Sequence, residues 1–119
     1  MRQSLIVCLA ALLSLSSCSD VVTRTYATLD DARRDRLFER GWLPDILPPS
    51  AREIRVSSNL DVNTADGEFS FDPEHFAVFT ARLHPRRDGS FEFSVDDNTW
   101  VFTCDSSHTR CHYSSEMLK

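Results

Sequence analysis

An α+β fold, with two short helices packed on an antiparallel sheet of four to five strands, is what this sequence predicts. Three observations carry that reading. Apolar and polar residues alternate in several short runs, the period of half-buried strands. Two other segments open with helix-start chemistry, a capping side chain followed by acids in the first turn. The length, 119 residues, holds one small domain, placed here at residues 28–116. With 41% hydrophobic and 26% charged residues, the composition is that of a globular chain and excludes wholesale disorder.

The elements follow in order. Thr28 is placed as an N-cap with Asp31 three residues on, and Gly41 as the left-handed residue after a helix end, so a helix is expected over 29–40. Its apolar face is Leu29, Ala32, Leu37 and Phe38, and Arg33, Arg34 and Arg36 form a solvated face opposite Asp30, Asp31 and Asp35. The next stretch, GWLPDILPPSAREI, holds three prolines, which forbid helix and central strand. Its apolar side chains make it a rigid connector packed on the core. Residues 53–57 alternate as a strand with Ile54 and Val56 inward, and 68–71 as another with Phe69 and Phe71 on one face. Asp72-Pro73-Glu74 starts a second helix carrying Phe76, Phe79 and Leu83, stopped by Pro85 and Gly89. Strands follow over 91–95 and 100–104 around an Asp96-Asp97-Asn98 turn, and 111–114 returns as the last.

The N-terminus has its own logic. Arg2 precedes an apolar run, Ser4 to Leu15, too short to span a bilayer and suited to a signal peptide. It stops at Leu15-Ser16-Ser17-Cys18, which resembles the bacterial lipobox. That resemblance implies removal of residues 1–17 and acylation of Cys18, with residues 18–27 as lipidated anchor and tether. Several acyl chains hold a protein on a membrane stably where one does not. Ser19 after the cysteine, where inner-membrane lipoproteins carry aspartate, implies the outer membrane, facing the periplasm. Loss of Arg2 leaves 12 basic and 18 acidic side chains, a formal charge of −6. Such a body stands off an anionic surface, and without a basic arm it is no nucleic-acid binder.

From Tyr26 to about Leu83 the chain carries a second resemblance. The pattern Tyr26-x-x-Leu29-x-x-Ala32, then Phe38-Glu39-Arg40-Gly41-Trp42-Leu43-Pro44, then Leu47-Pro48-x-Ser50-Ala51-x-x-Ile54, resembles the YbbD-like head domain of small bacterial proteins. The resemblance implies no activity, cofactor or catalytic residue.

Six residues separate Cys104 and Cys111. A turn at Ser107-His108 sets them opposite each other across a hairpin, within reach of a disulfide, as the oxidising envelope favours. The rival reading makes Cys104, His108, Cys111 and His112 metal ligands, against which the spacing lacks the usual C-x2-C pair. Neither Asp61-Asn63-Asp66-Gly67 nor Asp96-Asp97 fits calcium-loop or glycosidase spacing. His75 and His84 are placed at the surface, and Ser50 has no visible triad partner. Trp100 belongs in the core, whereas Trp42 is divided between core and surface and, with Leu43, is the candidate partner-binding surface. The sum is a lipid-anchored, non-catalytic binding or structural module with membrane lipid and a protein as partners and no cofactor. The alternative is a small envelope enzyme or metal-binding protein using Asp/His side chains or the Cys-His cluster.

Overall fold

The structure, a computed structural model, describes residues 21–117. The Leu15–Cys18 motif lies outside them. Seven antiparallel strands form one sheet, in the order β1-β2-β3-β7-β6-β5-β4. They are β1 (Val21–Thr28), β2 (Arg52–Asn59), β3 (Thr64–Ser70), β4 (His84–Pro85), β5 (Phe91–Val95), β6 (Asn98–Cys104) and β7 (Arg110–Met117). Two helices, α1 (Leu29–Arg34) and α2 (Phe76–Thr80), lie between strands, α2 preceded by a 3-10 turn at Pro73–His75. The fold is thus mostly β, with a larger sheet than the four to five strands expected.

One of the added strands is β1. Residues 21–27, expected as tether, pair along β2 from Val21↔Asn59 to Thr28↔Arg52. Only Tyr26 in it is buried, so an edge strand of valines and threonines shows little of the alternation that marks a strand with a core face. The other addition, β4, is a two-residue edge strand, where Pro85 removes a donor and blunts further pairing.

Across the sheet one face is apolar. The cross-strand row Val56–Gly67–Tyr113–Phe102–Phe91 runs from β2 to β5, and Phe69–Cys111–Cys104 runs beside it. The opposite face is polar, with Glu68 bridging Arg55 (3.2 Å) and Arg110. The apolar face is covered by α1, the segment to Ala51, and α2. Phe79 of α2 stands edge-on to Phe69 and Phe102, with ring centroids 5.8 and 5.4 Å away. Such edge-to-face contacts add to the area that the rings bury.

The first helix is shorter than the 29–40 expected. Thr28 caps it by accepting the Asp31 N–H at 3.1 Å, but the helix ends at a left-handed Arg36 (φ 59°); Gly41 is left-handed as expected (φ 79°), in a later turn and not at the helix end. The Leu37 N–H reaches the Ala32 carbonyl and the Arg36 N–H reaches that of Arg33. This is a Schellman ending with arginine in the usual glycine place. Its cause is burial: stopping there drops Leu37 beside Ala32, both fully buried. Asp35 secures the ending, accepting the Tyr26 hydroxyl at 2.5 Å and Arg40 at 3.2 Å. These bonds, Tyr26's first, hold the Asp35 carboxyl below the usual carboxylate range.

Gly67 sits where backbone and ring converge. A Cβ there would collide with the Arg55 carbonyl and press on the Tyr113 ring. Tyr113 is fully buried, and its hydroxyl has no hydrogen-bond partner among the described residues. Burial pushes its phenol far above the ordinary value.

Three outcomes follow. Gly67→Ala costs more than about 3 kcal/mol, because backbone cannot retreat as a side chain can; chemical denaturation reads it. Tyr113→Phe, measured the same way, gains about 1 kcal/mol by removing a buried unpaired hydroxyl. Asp35 ionises at lower pH folded than unfolded, so its contribution is present above the unfolded value and lost as pH falls through the folded one. Melting temperature therefore falls less steeply with acid in Asp35→Asn than in the parent.

Candidate functional site

The antiparallel register gives the sheet two distinct ends. The start of β1, the β2–β3 turn, the β5–β6 turn and the end of β7 share one. At the other lie the end of β1, the start of β2 and the β6–β7 loop, with α1 and α2 joined there. A cleft of about 640 Å³ opens between the helices at this second end.

The proline segment builds its floor. Pro44, Pro48 and Pro49 fix the local backbone, and two turns shape it, Ile46 N–H to the Pro44 carbonyl (2.9 Å) and Ala51 N–H to that of Pro48 (3.0 Å). Leu47 and Ala51 face the core at 7% and 3% exposure. Leu29, Asp30 and Arg33 of α1 form one wall, and Val78, Phe79 and Arg82, on and just beyond α2, the other. Arg33 reaches Asp45 at 3.4 Å across one rim. Arg82 has no side-chain partner among the described residues, and Val78 is 64% exposed. The cleft thus joins an apolar floor to an open cation and an open carboxylate, Asp30, the mix that small-ligand and peptide sites use.

At the inner corner Ser50 and His75 meet. Ser50 Oγ lies 2.8 Å from His75 Nδ1 and accepts the Asp72 N–H at 2.9 Å. Ser50 Oγ keeps a second lone pair and its own proton, so it pairs with Nδ1 in either imidazole tautomer. Nε2 has no partner among the described residues. The Asp72 carboxylate turns to Arg52 at 3.1 Å. A nucleophilic triad needs a carboxylate on the second imidazole nitrogen to orient the base, and here the acid is spent on an arginine. Sequence reasoning placed His75 at the surface and gave Ser50 no partner; they stand 25 positions apart, joined by β2–β3 pairing that no local pattern announces. Asp72 occupies the N-cap position of the 3-10 turn leading into α2, with Pro73 next as expected, but its side chain makes no capping bond.

Cys104 and Cys111 form the disulfide, Cα atoms 4.0 Å apart, in the closely spaced pair of the hairpin. The turn is not the two-residue Ser107-His108 turn expected. Asp105 holds a wider loop, accepting the Thr109 and Arg110 N–H groups, which lowers its own pKa. The Cys-His cluster does not converge. Both sulfurs are bonded to each other, the His108 ring stacks on Phe76 with centroids 3.8 Å apart, and His112 is exposed on the polar face. No group of three metal-ligating side chains occurs among the described residues.

The expected partner surface changes as well. Leu43 is 1% exposed and belongs to the core. Trp42 is half-buried, with its carbonyl accepting the Trp100 indole N–H at 3.2 Å and Arg40 lying 5.8 Å over its ring. Trp100 is in the core, as expected, at 2% exposure.

The family model of the YbbD head domain matches residues 20–70, under half of the chain. The match covers β1, α1, the proline segment, β2 and β3, which form one edge half of the sheet with the cleft floor. Neither a curated protein nor a solved structure matches the chain.

Ser50→Ala removes both the acceptor for Asp72 N–H and the partner of His75. A loss of about 1–2 kcal/mol is expected in denaturant titration, with the His75 imidazole resonances shifting in NMR.

Proposed function

We propose that this protein is a lipid-anchored bacterial envelope protein whose folded part is a non-catalytic binding module, with the cleft between α1 and α2 as its binding site. The observation that carries the reading is the cleft itself: a preformed proline floor, an unpaired Arg82 and an exposed Val78. Its place supports the same reading. It opens at the end of the sheet away from Val21, and seven residue steps along β1 set it roughly 23 Å from the strand's start. A Cys18 anchor on the outer membrane, three residues before that strand, leaves the cleft facing the periplasm. The protein partner first assigned to Trp42 and Leu43 is assigned to the cleft instead, because Leu43 is buried.

One observation favours the enzymatic alternative, the Ser50–His75 hydrogen bond. Against it stands the lack of an acid on Nε2 among the described residues. Covalent labelling of Ser50 by a fluorophosphonate would establish a nucleophile.

The test is in-cell photocrosslinking from position 78 in the full-length protein, read by mass spectrometry. A recurrent species that disappears on Arg82→Glu is expected. Capture of abundant membrane proteins alone, unchanged by that substitution, overturns the module.

A further inference from the structure

Five large hydrophobic side chains are exposed among the described residues, and four of them lie at one end of the sheet. Val21 (46%) begins β1, Leu60 (53%) and Val62 (61%) form the β2–β3 turn, and Val95 (46%) closes β5. The fifth, Val78, lines the cleft at the far end. Register brings the four level. Val21 pairs with Asn59, next to Leu60. Val95 pairs with Asn98, and Asn98 with Met117. Met117 lies two residues past Ser115, the partner of Ala65, which is the level of the β2–β3 turn.

The chain length before this end decides what covers it. Strand β1 starts at Val21, so the nine-residue linker that a tether over 19–27 would supply does not exist. Between Cys18 and Val21 the backbone spans at most about 11 Å. If Cys18 carries acyl chains in the bilayer, the start of β1 is held within that distance of the headgroups, and the β2–β3 turn beside it.

We infer that this end of the sheet seats on the lipid surface, with Leu60 and Val62 entering the headgroup layer. The inference rests on the acylation of Cys18 proposed above. Apolar tips leave water on entering the interface, and the acyl chains have already met the cost of bringing the domain there. The charge at this end selects the lipid. Asp96 and Asp97 are exposed beside Val95, and Arg40, the cation nearest Leu60, is paired with Asp35 at 3.2 Å, so the fitting surface is zwitterionic phosphatidylethanolamine, and anionic lipid repels it. The domain then stands on its turns with its strands rising from the bilayer, and the cleft is held at a set height.

Full-length lipidated protein in phosphatidylethanolamine vesicles tests this. Nitroxides are placed at Leu60→Cys, Val62→Cys and, as control, Val78→Cys, and their collision with oxygen and with a water-soluble nickel chelate is measured. Intact mass reports acylation of Cys18. Positions 60 and 62 are expected to favour oxygen several-fold over position 78, and less so when phosphatidylglycerol is added. An acylated protein in which position 60 matches position 78 overturns the docking and leaves the anchor standing. An unacylated Cys18 overturns both. Dipolar broadening between labels at position 60 assigns this end to a second copy of the chain, and overturns the lipid contact.

Discussion

The pairing of β3 with β7 is the seam on which the rest of the structure depends. It joins residues 64–70 to residues 110–117, about 45 positions apart in the chain, and no turn helps it form. At its centre Gly67 faces Tyr113, and the missing side chain is what lets the tyrosine ring lie against the strand. Two pairs further, Phe69 faces Cys111, whose sulfur is tied to Cys104. The stretch that matches the YbbD head domain ends at this seam: β1, β2 and β3 fall within it, and α2 and β4 to β7 lie beyond it. The core is shared: Phe69 from one half and Phe102 from the other both receive the edge of Phe79. Neither half buries its apolar face without the other.

Local chemistry was legible where a local signal decides the outcome. Thr28 caps α1 because its hydroxyl meets the Asp31 N–H, a contact between near neighbours. Ile54 and Val56, Phe69 and Phe71, and Trp100 and Phe102 are buried because period-two alternation survives in strands with one wet face. The cysteine pair was legible because a short hairpin loop leaves few alternatives. What escaped was set by tertiary demand. Helix α1 stops six residues early because burying Leu37 outweighs the strain of a left-handed arginine, while Gly41 pointed to a later stop. The strand at 21–28 escaped because an edge strand buries a single side chain and reads as polar linker. The Ser50–His75 contact escaped because it depends on where two connectors meet at one end of a sheet.

That geometry also explains why the cleft lies where it does. Both helices and the proline floor lie at the end where β1, β2 and β3 meet their crossovers, whereas the opposite end holds the β2–β3 and β5–β6 turns, the start of β1, the end of β7 and the Arg40–Trp42 corner. The first end has the material to build a concave site with a rigid floor. The second has its protruding turn residues and a smaller hollow of about 180 Å³ between Trp42 and Leu60. A sheet with seven strands and one wet face thus separates its two surfaces of interest by the length of its strands.

The disulfide bears on the cleft wall through the loop that it closes. It closes the β6–β7 hairpin at its root, and the loop beyond is held by the Asp105 carboxylate. That loop presents His108 flat against Phe76, the first residue of α2. Phe76 in turn stands edge-on to Phe91 of β5 at 6.1 Å. A helix of five residues has almost no stability of its own, so α2 keeps its place through what holds its side chains: Phe79 below, His108 and Phe91 beside. Of these, the histidine contact is the one on a loop, free to move if the hairpin opens. A small loop contributes about 2 kcal/mol when crosslinked, the exact share depending on the denatured state. Its larger effect is positional. With the bond intact, the wall that carries Val78 and Arg82 is braced from the far side of the sheet; without it, the brace rests on Asp105 alone.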